Sequence, residues 1–540
     1  MRPTRQHRDL AVKGAHAVLR EVRSAPEQRQ ARHLGRAIDA LAVAPEADAS
    51  RVLFLTPKGW ASHVHWEAMI AHGLRLRGAD VRFATCGGGL GICDRSNTWE
   101  APPPPCRTCA NYVLGSLDAH GLPVTKLNEH WTDDDVWPEL DDLGLDELAE
   151  VTYRGVPVGR LVDIPVKWFL VRADFETDPL ATTTYREFLR SARRIVDALE
   201  TVLADVDPSV VVMCNGLFLF ETIAIEMCTQ RGIDYVTYER GYIKGTLFYE
   251  RNGISCLMDM GAYWPEWSRR PLTAEESDTL DTYLDERRHG KRTVDRFWQD
   301  ATFDVPERTD GVTRVTMLPN LTWDSAVIGQ TVAFDGLADW IWSTIDALGN
   351  RDDVELTIRI HPAETKLRGM ETREPVADVI RQRYPTLPAN VRIIPATDST
   401  STYTLMEDTD VCVVFSSTTG LEAALMGKPV VVVGQTHYRD KGFTIDVADE
   451  AEYRAALDRT IADPAAHAAD VELARRYAYL LFFRVPVAGY GVDEHIVGLV
   501  RLTETDASSF RPGADERLDR ICDGILGLRP FGPLPAYASR

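Results

Sequence analysis

The sequence predicts an α/β protein made of two doubly wound, Rossmann-like domains that face a central cleft. Short β-branched apolar runs alternate with longer helical stretches, and the alternation occurs twice, on either side of a polar stretch at 265–310. A chain of 540 residues also exceeds one ordinary core, because domains usually hold roughly 100–200 residues. Parallel strands end at one edge of a sheet, so we expect the functional residues in the loops that follow strands.

The first domain is predicted over 49–265. Its Gly-, Pro- and Asp-rich stretch at 87–185 breaks the alternation and is interpreted as an insertion. The remaining elements alternate as a parallel sheet requires. They are strand RVLFLTP (51–57), helix 60–77, strand DVRFATC (80–86), helix 187–206, strand 209–216, helix 218–232 and strand 233–240.

The second domain is predicted over 311–505, after a helical linker at 266–310 and before a tail at 506–540. Its pattern repeats that of the first domain. The predicted elements are strand 312–320, helix 335–348, strand VELTIRI (354–360), helix 372–383, strand 391–395, strand 410–415, helix 421–427 and strand 428–434.

Composition limits the functional classes. The chain has 60 basic and 81 acidic residues, a net charge of −21, which disfavours a nucleic-acid partner. No apolar run approaches the roughly 20 residues of a membrane span, and the first residues lack a secretory apolar core, so we expect a cytoplasmic protein. Residues 1–48 form an Arg-rich extension that an anionic membrane surface could attract, at the inner face of the membrane. The alternative is a solvated helix.

A hydroxyl-rich turn between a strand and a helix is the strongest local signal. Ser416, Ser417, Thr418, Thr419 and Gly420 stand where the helix begins, so their hydroxyls and backbone amides can hold a phosphate. One turn later, Glu422 is placed to accept hydrogen bonds from ribose hydroxyls. The alternative is that the serines only cap the helix.

The segment RIHPAETK at 359–366 puts a histidine directly after a buried strand. His361 can donate a hydrogen bond to a phosphate oxygen and so stabilise a nucleotide leaving group. Arg359 and Glu364 flank it and are included in the predicted donor site. A lone His-Pro is more often a turn, but the hydroxyl-rich turn some 55 residues later favours a site.

In each predicted domain, the loop after the first strand contains further candidate residues. In PKGWASHVHW (57–66), Lys58, His63 and His65 are candidates to bind an acceptor or its phosphate. For His65, which lies on a helical face, packing is the alternative. In LPNLTWDSA (318–326), Asn320 and Asp324 are predicted donor contacts, together with Trp323. The alternative for this second loop is a capped helix start.

Four cysteines and three aspartates lie in the predicted insertion. Cys86, Cys93, Cys106 and Cys109 fit a structural zinc site that would hold an insertion without its own core. The alternative is four unrelated reduced thiols. The run of three aspartates at 133–135 suggests a metal motif but is interpreted as a solvated face. No cofactor is predicted for catalysis.

The motifs RIHPAE, SSTTGLEAALMGKPV and YRDKGFT together resemble the carboxyl-terminal half of capsule polysaccharide biosynthesis glycosyltransferases, a group that includes Kdo transferases. The His-Pro and Ser-Ser/Thr pair is also similar to motifs with which bacterial sialyltransferases hold a CMP-activated donor. The resemblance covers residues 205–450 and is most specific over 410–446. It implies a GT-B fold, two Rossmann-like domains around the cleft.

The resemblance also implies roles for individual residues. By position, His361 and the turn at Ser416–Thr418 would bind donor phosphate, and Glu422 would lie near the nucleotide sugar. An acidic residue before a glycine in the first domain serves these families as general base, and the matching stretch is YERGYIKG (238–245), with Glu239. Relatives often have two acidic residues there, but here Arg240 follows, so a structural salt bridge at Glu239 is the alternative.

The predicted activity is inverting transfer of a sugar from a nucleotide-activated donor to a surface or capsular polysaccharide, free or lipid-linked. A CMP-ulosonate donor is favoured by the resemblance, with UDP- and GDP-sugars as further options. Two enzymatic alternatives share the architecture: a nucleotide-sugar 2-epimerase, and a polyol-phosphate transferase of teichoic-acid type. The non-enzymatic alternative is a glycan- or nucleotide-binding partner in polysaccharide assembly.

Overall fold

The structure, a computed structural model, describes residues 26–100, 104–131, 136–175, 177–291, 311–324, 327–367, 369–496 and 498–533. Two open β-sheets organise this part of the chain, and each sheet has a hydrophobic core on both of its faces. The predicted fold class of two doubly wound α/β domains is confirmed. Among the helices within these ranges, none is long and apolar enough to cross a membrane.

The two sheets have the same strand order. The first runs β13-β6-β5-β4-β1-β2-β3 and the second β12-β11-β10-β7-β8-β9. When the strands are counted within each domain and the sheets are followed from β3 and from β9, both begin with the order 3-2-1-4-5-6 of the doubly wound fold. Every pairing in the second sheet is parallel, whereas in the first β6 is antiparallel to its neighbours β5 and β13. The strands are β1 (Arg51–Leu55), β2 (Asp80–Thr85), β3 (Val124–Lys126), β4 (Val210–Cys214), β5 (Asp234–Arg240), β6 (Thr246–Arg251), β7 (Thr313–Leu318), β8 (Val354–Arg359), β9 (Val391–Ile394), β10 (Val411–Val414), β11 (Val430–Val432), β12 (Ile445–Asp446), β13 (Val487–Ala488), β14 (Val492–Ile496) and β15 (Leu499–Leu502).

Helices connect these strands and cover the sheets. The helices are α1 (26–39), α2 (Ala61–Arg75), α3 (Cys106–His120), α4 (Leu145–Ala149), α5 (Val158–Leu161), α6 (Asp163–Leu170), α7 (Ala181–Val206), α8 (Leu219–Arg231), α9 (Trp264–Trp267), α10 (Ala274–Arg288), α11 (Leu337–Leu348), α12 (Ala363–Lys366), α13 (Val376–Arg383), α14 (Thr402–Asp408), α15 (Thr419–Leu425), α16 (Glu450–Ala462), α17 (Val471–Tyr479) and α18 (Glu516–Ile525).

The first sheet is buried on both faces, which explains its continuous apolar strands. In β1, Val52 and Phe54 belong to the core that contains α2, whereas Leu53 and Leu55 belong to the core that contains α7. Nearly every residue of α2 is buried, because α18 and the β14–β15 hairpin pack against it. The loop between β1 and α2 is therefore held from several sides.

Most predicted strands coincide with observed ones within a few residues; for example, 233–240 contains β5 and 354–360 contains β8. The predicted insertion at 87–185 needs a correction, since it contains α3 and β3, and β3 pairs with β2 as the edge of the first sheet. With only three residues, β3 is too short for its periodicity to show in the sequence.

Both predicted outer boundaries also change. The second domain was placed up to residue 505, but Val487 already pairs with Leu247 in the first sheet, so the chain returns to the first domain before residue 487. In the Arg-rich extension, α1 buries Ala31, Leu34 and Ile38 in the first core, so this part is packed rather than solvated. Residues 1–25 of that extension lie outside the described residues.

Candidate functional site

Two polar edges meet in the cleft between the sheets. One edge follows β1, β4 and β5, and the other follows β7, β8, β10 and β11. The hydroxyl of Tyr242, just after β5, lies 2.8 Å from Oγ1 of Thr418 and 3.3 Å from Nε2 of His437. The loops after strands of both sheets are therefore in direct contact, as the predicted cleft requires.

The hydroxyl-rich turn lies between β10 and α15 and is internally ordered. Oγ of Ser417 lies 2.7 Å from Oγ1 of Thr419 and accepts a hydrogen bond from that residue's backbone N–H. The Tyr438 hydroxyl donates to the carbonyl of Ser417 at 2.5 Å. A Cβ at Gly420 would stand 2.2 Å from the same hydroxyl. Glycine is thus required for the close approach of Tyr438 that fixes the turn.

Glu422, one turn into α15, is buried and engaged within the protein. Its Oε1 accepts hydrogen bonds from Nε of Arg287 at 2.5 Å and from the Tyr403 hydroxyl at 3.0 Å. Burial alone would lower the pKa of Arg287, but the Glu422 carboxylate raises it. This ion pair fastens α10 to α15, and the contact of Glu422 with a ribose stays a prediction.

His361 directly follows β8, as predicted. Its Nδ1 accepts a hydrogen bond from the backbone N–H of Ala363 at 3.1 Å, and burial lowers its pKa to about 4, with a smaller effect from Arg359. The imidazole is therefore neutral near pH 7, and the network assigns its proton to Nε2. In this form His361 is a hydrogen-bond donor, the property that the phosphate-binding hypothesis needs.

The residues on either side of His361 are used to shape the loop. The guanidinium of Arg359 donates to the carbonyls of Pro395, Asp398 and Thr400 at 2.6–3.2 Å. Oε1 of Glu364 accepts from the backbone N–H of Val376 at the start of α13, at 2.9 Å. Both side chains are at least 95% buried. Both side chains therefore position the loops around His361, and their contact with the donor stays a prediction.

The loop after β7 presents buried polar groups. In the described part of the chain, Oδ1 of Asn320 and Nε1 of Trp323 are sealed from solvent without a hydrogen-bond partner. The Trp323 ring packs edge-on against Trp168 of the first domain, with centroids 5.3 Å apart. The backbone carbonyl of Asp324 accepts from Val327 and Ile328. The loop therefore both joins the domains and starts a turn, and donor contact stays a prediction.

Lys58, predicted to bind an acceptor, lies in a buried ion cluster instead. Its Nζ is 3.2 Å from Asp94 and 3.0 Å from Glu221, and all three side chains are at least 95% buried. Burial alone would lower the pKa of Lys58, but the carboxylates raise it. The charge of Lys58 is thus used inside the first domain rather than offered to the cleft.

Glu239 is the penultimate residue of β5 and is held by two hydrogen-bond donors. Nδ2 of Asn215, which follows β4, donates to Oε2 at 2.5 Å, and the backbone N–H of Arg240 donates to Oε1 at 2.7 Å. Burial raises the pKa of Glu239, and these donors partly offset it. Arg240 pairs with Glu494 at 2.9 Å rather than with Glu239. The side-chain salt bridge at Glu239 considered from the sequence is therefore absent among the described residues.

The two histidines of the loop after β1 have different surroundings. His63 lies near the ends of β4 and β5, with Nδ1 3.4 Å from Sγ of Cys214 and 3.2 Å from the Tyr238 hydroxyl. His65 is fully buried, and its Nδ1 lies 3.0 Å from Nε2 of His120, which in turn contacts His72. His65 therefore belongs to the core, as its helical face suggested.

The four cysteines of the supposed zinc site are neighbours but do not form a metal centre here. Within the described ranges, no group of three or more His, Cys, Asp or Glu side chains could hold a metal ion. Burial raises the pKa of Cys86 to about 12, and Cys109 and Cys106 add to the shift. Sγ of Cys109 accepts a hydrogen bond from the Gly59 N–H at 3.0 Å. The aspartates at 133–135 lie outside the described residues.

Several residues at the two edges were missed from the sequence. Tyr242 lies inside the quoted YERGYIKG stretch but was not singled out, and Glu67 stands four residues after His63 on the same helix. Helical spacing predicts a shared face for that pair. Asn215, His437 and Arg287 carry no motif, and only their position after folding brings them to the cleft.

The comparisons with known proteins support the family suggested by the motifs. Residues 275–481 match the family model of the capsule polysaccharide biosynthesis protein. Three solved structures are similar: KpsC of Thermosulfurimonas dismutans, a beta Kdo 2,4 transferase, is 16% identical over 56% of this chain and 87% of that one, with a TM-score of 0.34. Spinosyn rhamnosyltransferase SpnG is 13% identical over 79% and 95%, with a TM-score of 0.25. A UDP-GlcNAc 2-epimerase from Neisseria meningitidis is 12% identical over 80% and 95%, with a TM-score of 0.23.

At these TM-scores the structural similarities carry no argument about the activity of this chain. No curated protein matches it. The family match, by contrast, contains every predicted donor-binding residue and most of the second domain. The two doubly wound domains around a polar cleft have the architecture of the predicted GT-B fold. The family match is thus confined to residues 275–481, and within that segment the chain is similar to capsule polysaccharide biosynthesis proteins.

Proposed function

We propose that the protein transfers a sugar, with inversion, from a nucleotide-activated donor to a surface or capsular glycan. One observation carries the proposal. Tyr242 contacts Thr418 of the hydroxyl-rich turn at 2.8 Å and stands three residues after Glu239. The candidate base and the candidate phosphate turn are therefore on loops that touch across the cleft, the arrangement that transfer between two bound substrates requires.

In this proposal the second domain binds the donor. The neutral His361 donates from Nε2 to a phosphate oxygen of the leaving nucleotide, while the hydroxyls of Ser416, Ser417 and Thr418 provide further donors. Such preorganised donors stabilise the negative charge that develops on the leaving group. The motif resemblance favours CMP as that nucleotide and an ulosonate as the sugar; UDP- and GDP-sugars are the other members of the class.

The first domain supplies the base. Glu239 takes the proton of the acceptor hydroxyl as its oxygen attacks the anomeric carbon. Asn215 and the Arg240 N–H hold the carboxylate in one orientation, and burial raises its pKa, which makes it a better base than an exposed glutamate. The acceptor is a glycan, either free or linked to a lipid.

The first experiment is a thermal-shift screen of the wild type against CMP, CDP, UDP and GDP. A nucleotide at about 100 times its Kd should stabilise the fold by about 2.7 kcal/mol. His361→Ala should abolish most of this shift, whereas Glu239→Gln should keep it. His289→Ala, at an exposed site on the linker helix, is the matched control and should behave as wild type.

Turnover separates the proposal from its alternatives. The corresponding activated sugars are incubated with the protein and with glycan from cells that lack it, and nucleotide release and glycan mass are measured. Release that needs the glycan, adds one sugar mass and is lost in Glu239→Gln supports transfer. Conversion of the sugar without glycan would indicate an epimerase, and added polyol phosphate a phosphotransferase. Absence of stabilisation by every nucleotide would contradict the proposal.

A further inference from the structure

A chain of buried hydrogen bonds ends at His63, one of the residues predicted to bind an acceptor. Oε2 of Glu67 accepts from the Thr56 hydroxyl, and Oε1 accepts from the Tyr238 hydroxyl at 2.6 Å. The Tyr238 oxygen in turn lies 3.2 Å from Nδ1 of His63. Thr56, Glu67 and Tyr238 are at least 97% buried, and His63 is 7% exposed. The proposed base Glu239 is the next residue after Tyr238.

The donor inventory of this chain fixes the direction of its hydrogen bonds. A tyrosine hydroxyl has one proton. Burial raises the pKa of Glu67 to about 8, so above that pH Glu67 is an ionised acceptor and its short contact with Tyr238 uses the Tyr238 proton. The Tyr238 oxygen can then only accept from His63, because two acceptors facing each other at 3.2 Å would repel. Nδ1 of His63 therefore carries the ring proton. Sγ of Cys214, 3.4 Å from the same nitrogen, is a weak acceptor for it.

The other ring nitrogen of His63 is left as an acceptor. Nε2 makes no hydrogen bond with the residues that the structure describes, and it is not sealed from solvent. Burial lowers the pKa of His63 to about 3, and the nearby Arg240 and Lys58 add to that effect, so the ring stays neutral. The rings of Trp60 and Trp66 lie 5.5 and 5.4 Å away and hold the imidazole between them.

Of Lys58 and His63, both predicted to bind an acceptor, only His63 is thus available. Lys58 is surrounded by Asp94 and Glu221, whereas His63 has a free lone pair at the cleft. A glycan hydroxyl is the ligand that a neutral imidazole acceptor fits, since it has a proton to donate and carries no charge.

We propose that His63 accepts a hydrogen bond from a hydroxyl of the glycan acceptor through Nε2, and that Tyr238 and Glu67 are positioning residues that hold it in this tautomer. The acceptor role rests on the proposed function, whereas the tautomer does not. Glu67 acts on His63 through Tyr238. It accepts the hydrogen bond that the Tyr238 hydroxyl donates, so the Tyr238 oxygen can only accept from His63, and His63 keeps its proton on Nδ1.

The tautomer is measured directly by ¹⁵N NMR of the full chain labelled at histidine, above pH 8 so that Glu67 is ionised, with His63→Asn to assign the signal. The wild type should show protonated Nδ1 and bare Nε2. Glu67→Gln should keep this state, because its amide oxygen still accepts from Tyr238. Glu67→Leu should reverse it, because Tyr238 would then donate to His63. Tyr238→Phe also removes the partner of Nδ1 and provides a second route if the leucine variant fails to fold.

A wild-type His63 protonated on Nε2, or the same tautomer in all variants, would overturn the assignment. The acceptor role is tested in the turnover assay. Glu67→Leu and Tyr238→Phe should raise the KM for the glycan by about tenfold, the effect of about 1.4 kcal/mol, with an unchanged nucleotide thermal shift. Glu67→Gln should restore the wild-type value, and an unchanged KM in both disrupting variants would refute the role. If no nucleotide binds the wild type, the proposed function fails while the NMR result still decides the tautomer.

Discussion

The two edges of the cleft are built from different chemistry. The edge of the first domain contains buried ionisable groups, Lys58 with its two carboxylates, Glu67 and Glu239. The edge of the second domain presents serine and threonine hydroxyls, and its histidines are neutral. The guanidinium of Arg287, which lies next to this edge, is paired with Glu422.

This difference fits a division of labour. Groups with shifted pKa values belong where protons move, because general acid and base catalysis depends on tuned basicity. Neutral hydroxyls and amides suffice where an anion binds, because they donate hydrogen bonds without changing protonation. We therefore expect the first domain to respond strongly to pH and to charge removal, and the second to respond to changes in shape and hydrogen bonding.

The largest effect should come from acid. Burial holds the pKa of His65 at about 4 and of His72 at about 3, and lowers that of His120 and of His63 as well. Unfolded histidine titrates near 6.5, so protons stabilise the unfolded state, and stability is lost as the pH falls from 6.5 toward 3–4. At pH 5 a histidine with a folded pKa of about 4, such as His65, contributes a loss of about 2 kcal/mol. Glu67, whose pKa burial raises to about 8, offsets part of this loss because its protonated form favours the folded state.

Hydrogen exchange measured by domain at pH 8, 6.5 and 5 tests this asymmetry. The first domain, with four such histidines, should lose protection before the second, where His361 and His437 have lowered pKa values. The exposed His289→Ala should leave the profile unchanged. Equal loss of protection in both domains would contradict the expected difference in acid sensitivity between them.

Lys58→Met should be the most damaging single substitution at the first edge. It leaves Asp94 and Glu221 buried without their cation, and breaking a buried pair in this way usually destabilises by about 3–5 kcal/mol. Urea unfolding measures the loss. Lys126→Met, which breaks an exposed pair with Glu129, is the control and should change stability by less than about 1 kcal/mol. A small effect at Lys58 would mean that water or protons replace its charge.

Gly420→Ala should damage the second edge through shape alone. The added methyl would meet the Tyr438 hydroxyl, and overpacking of this kind costs about 1–3 kcal/mol. Nucleotide binding should fall with stability, because the turn must shift. Gly115→Ala on α3 has its nearest neighbour at 3.6 Å and should be neutral or slightly stabilising. A variant at 420 that keeps both stability and binding would show that the turn is adaptable.

Tyr242→Phe should give the smallest effect and sharpen the division between the edges. The Tyr242 hydroxyl forms a hydrogen bond with Oγ1 of Thr418. In the proposed function, the donor phosphate needs that same oxygen as a hydrogen-bond partner. Removing one hydrogen bond of about 1 kcal/mol should tighten nucleotide binding by about fivefold in calorimetry. Tyr235→Phe, near the start of β5, is the control and should leave the nucleotide affinity unchanged. Weaker binding would instead make Tyr242 a ligand of the donor.

The sequence predicted the second edge better than the first. The hydroxyls at 416–419 and His361 directly follow continuous apolar runs of the sequence, so their place after β10 and β8 could be derived from the sequence pattern. Arg359 and Glu364 show what the sequence pattern could not predict. Both residues lie near the predicted site, but their side chains form hydrogen bonds with backbone groups of neighbouring loops. Lys58 fails in the same way, because its partner Glu221 is 163 residues away in the chain.

By itself the sequence determined the class of fold, the positions of most strands along the chain and the loops that bear polar residues. These features depend on local periodicity and on turn-forming residues. Tertiary structure alone decided which of those polar residues are available. Lys58 was neutralised by Asp94 and Glu221, His63 was oriented by Tyr238 and Glu67, and residues from 487 onward rejoined the first domain. Hydrogen bonds and ion pairs between distant segments depend on geometry in space, which spacing along a chain does not encode.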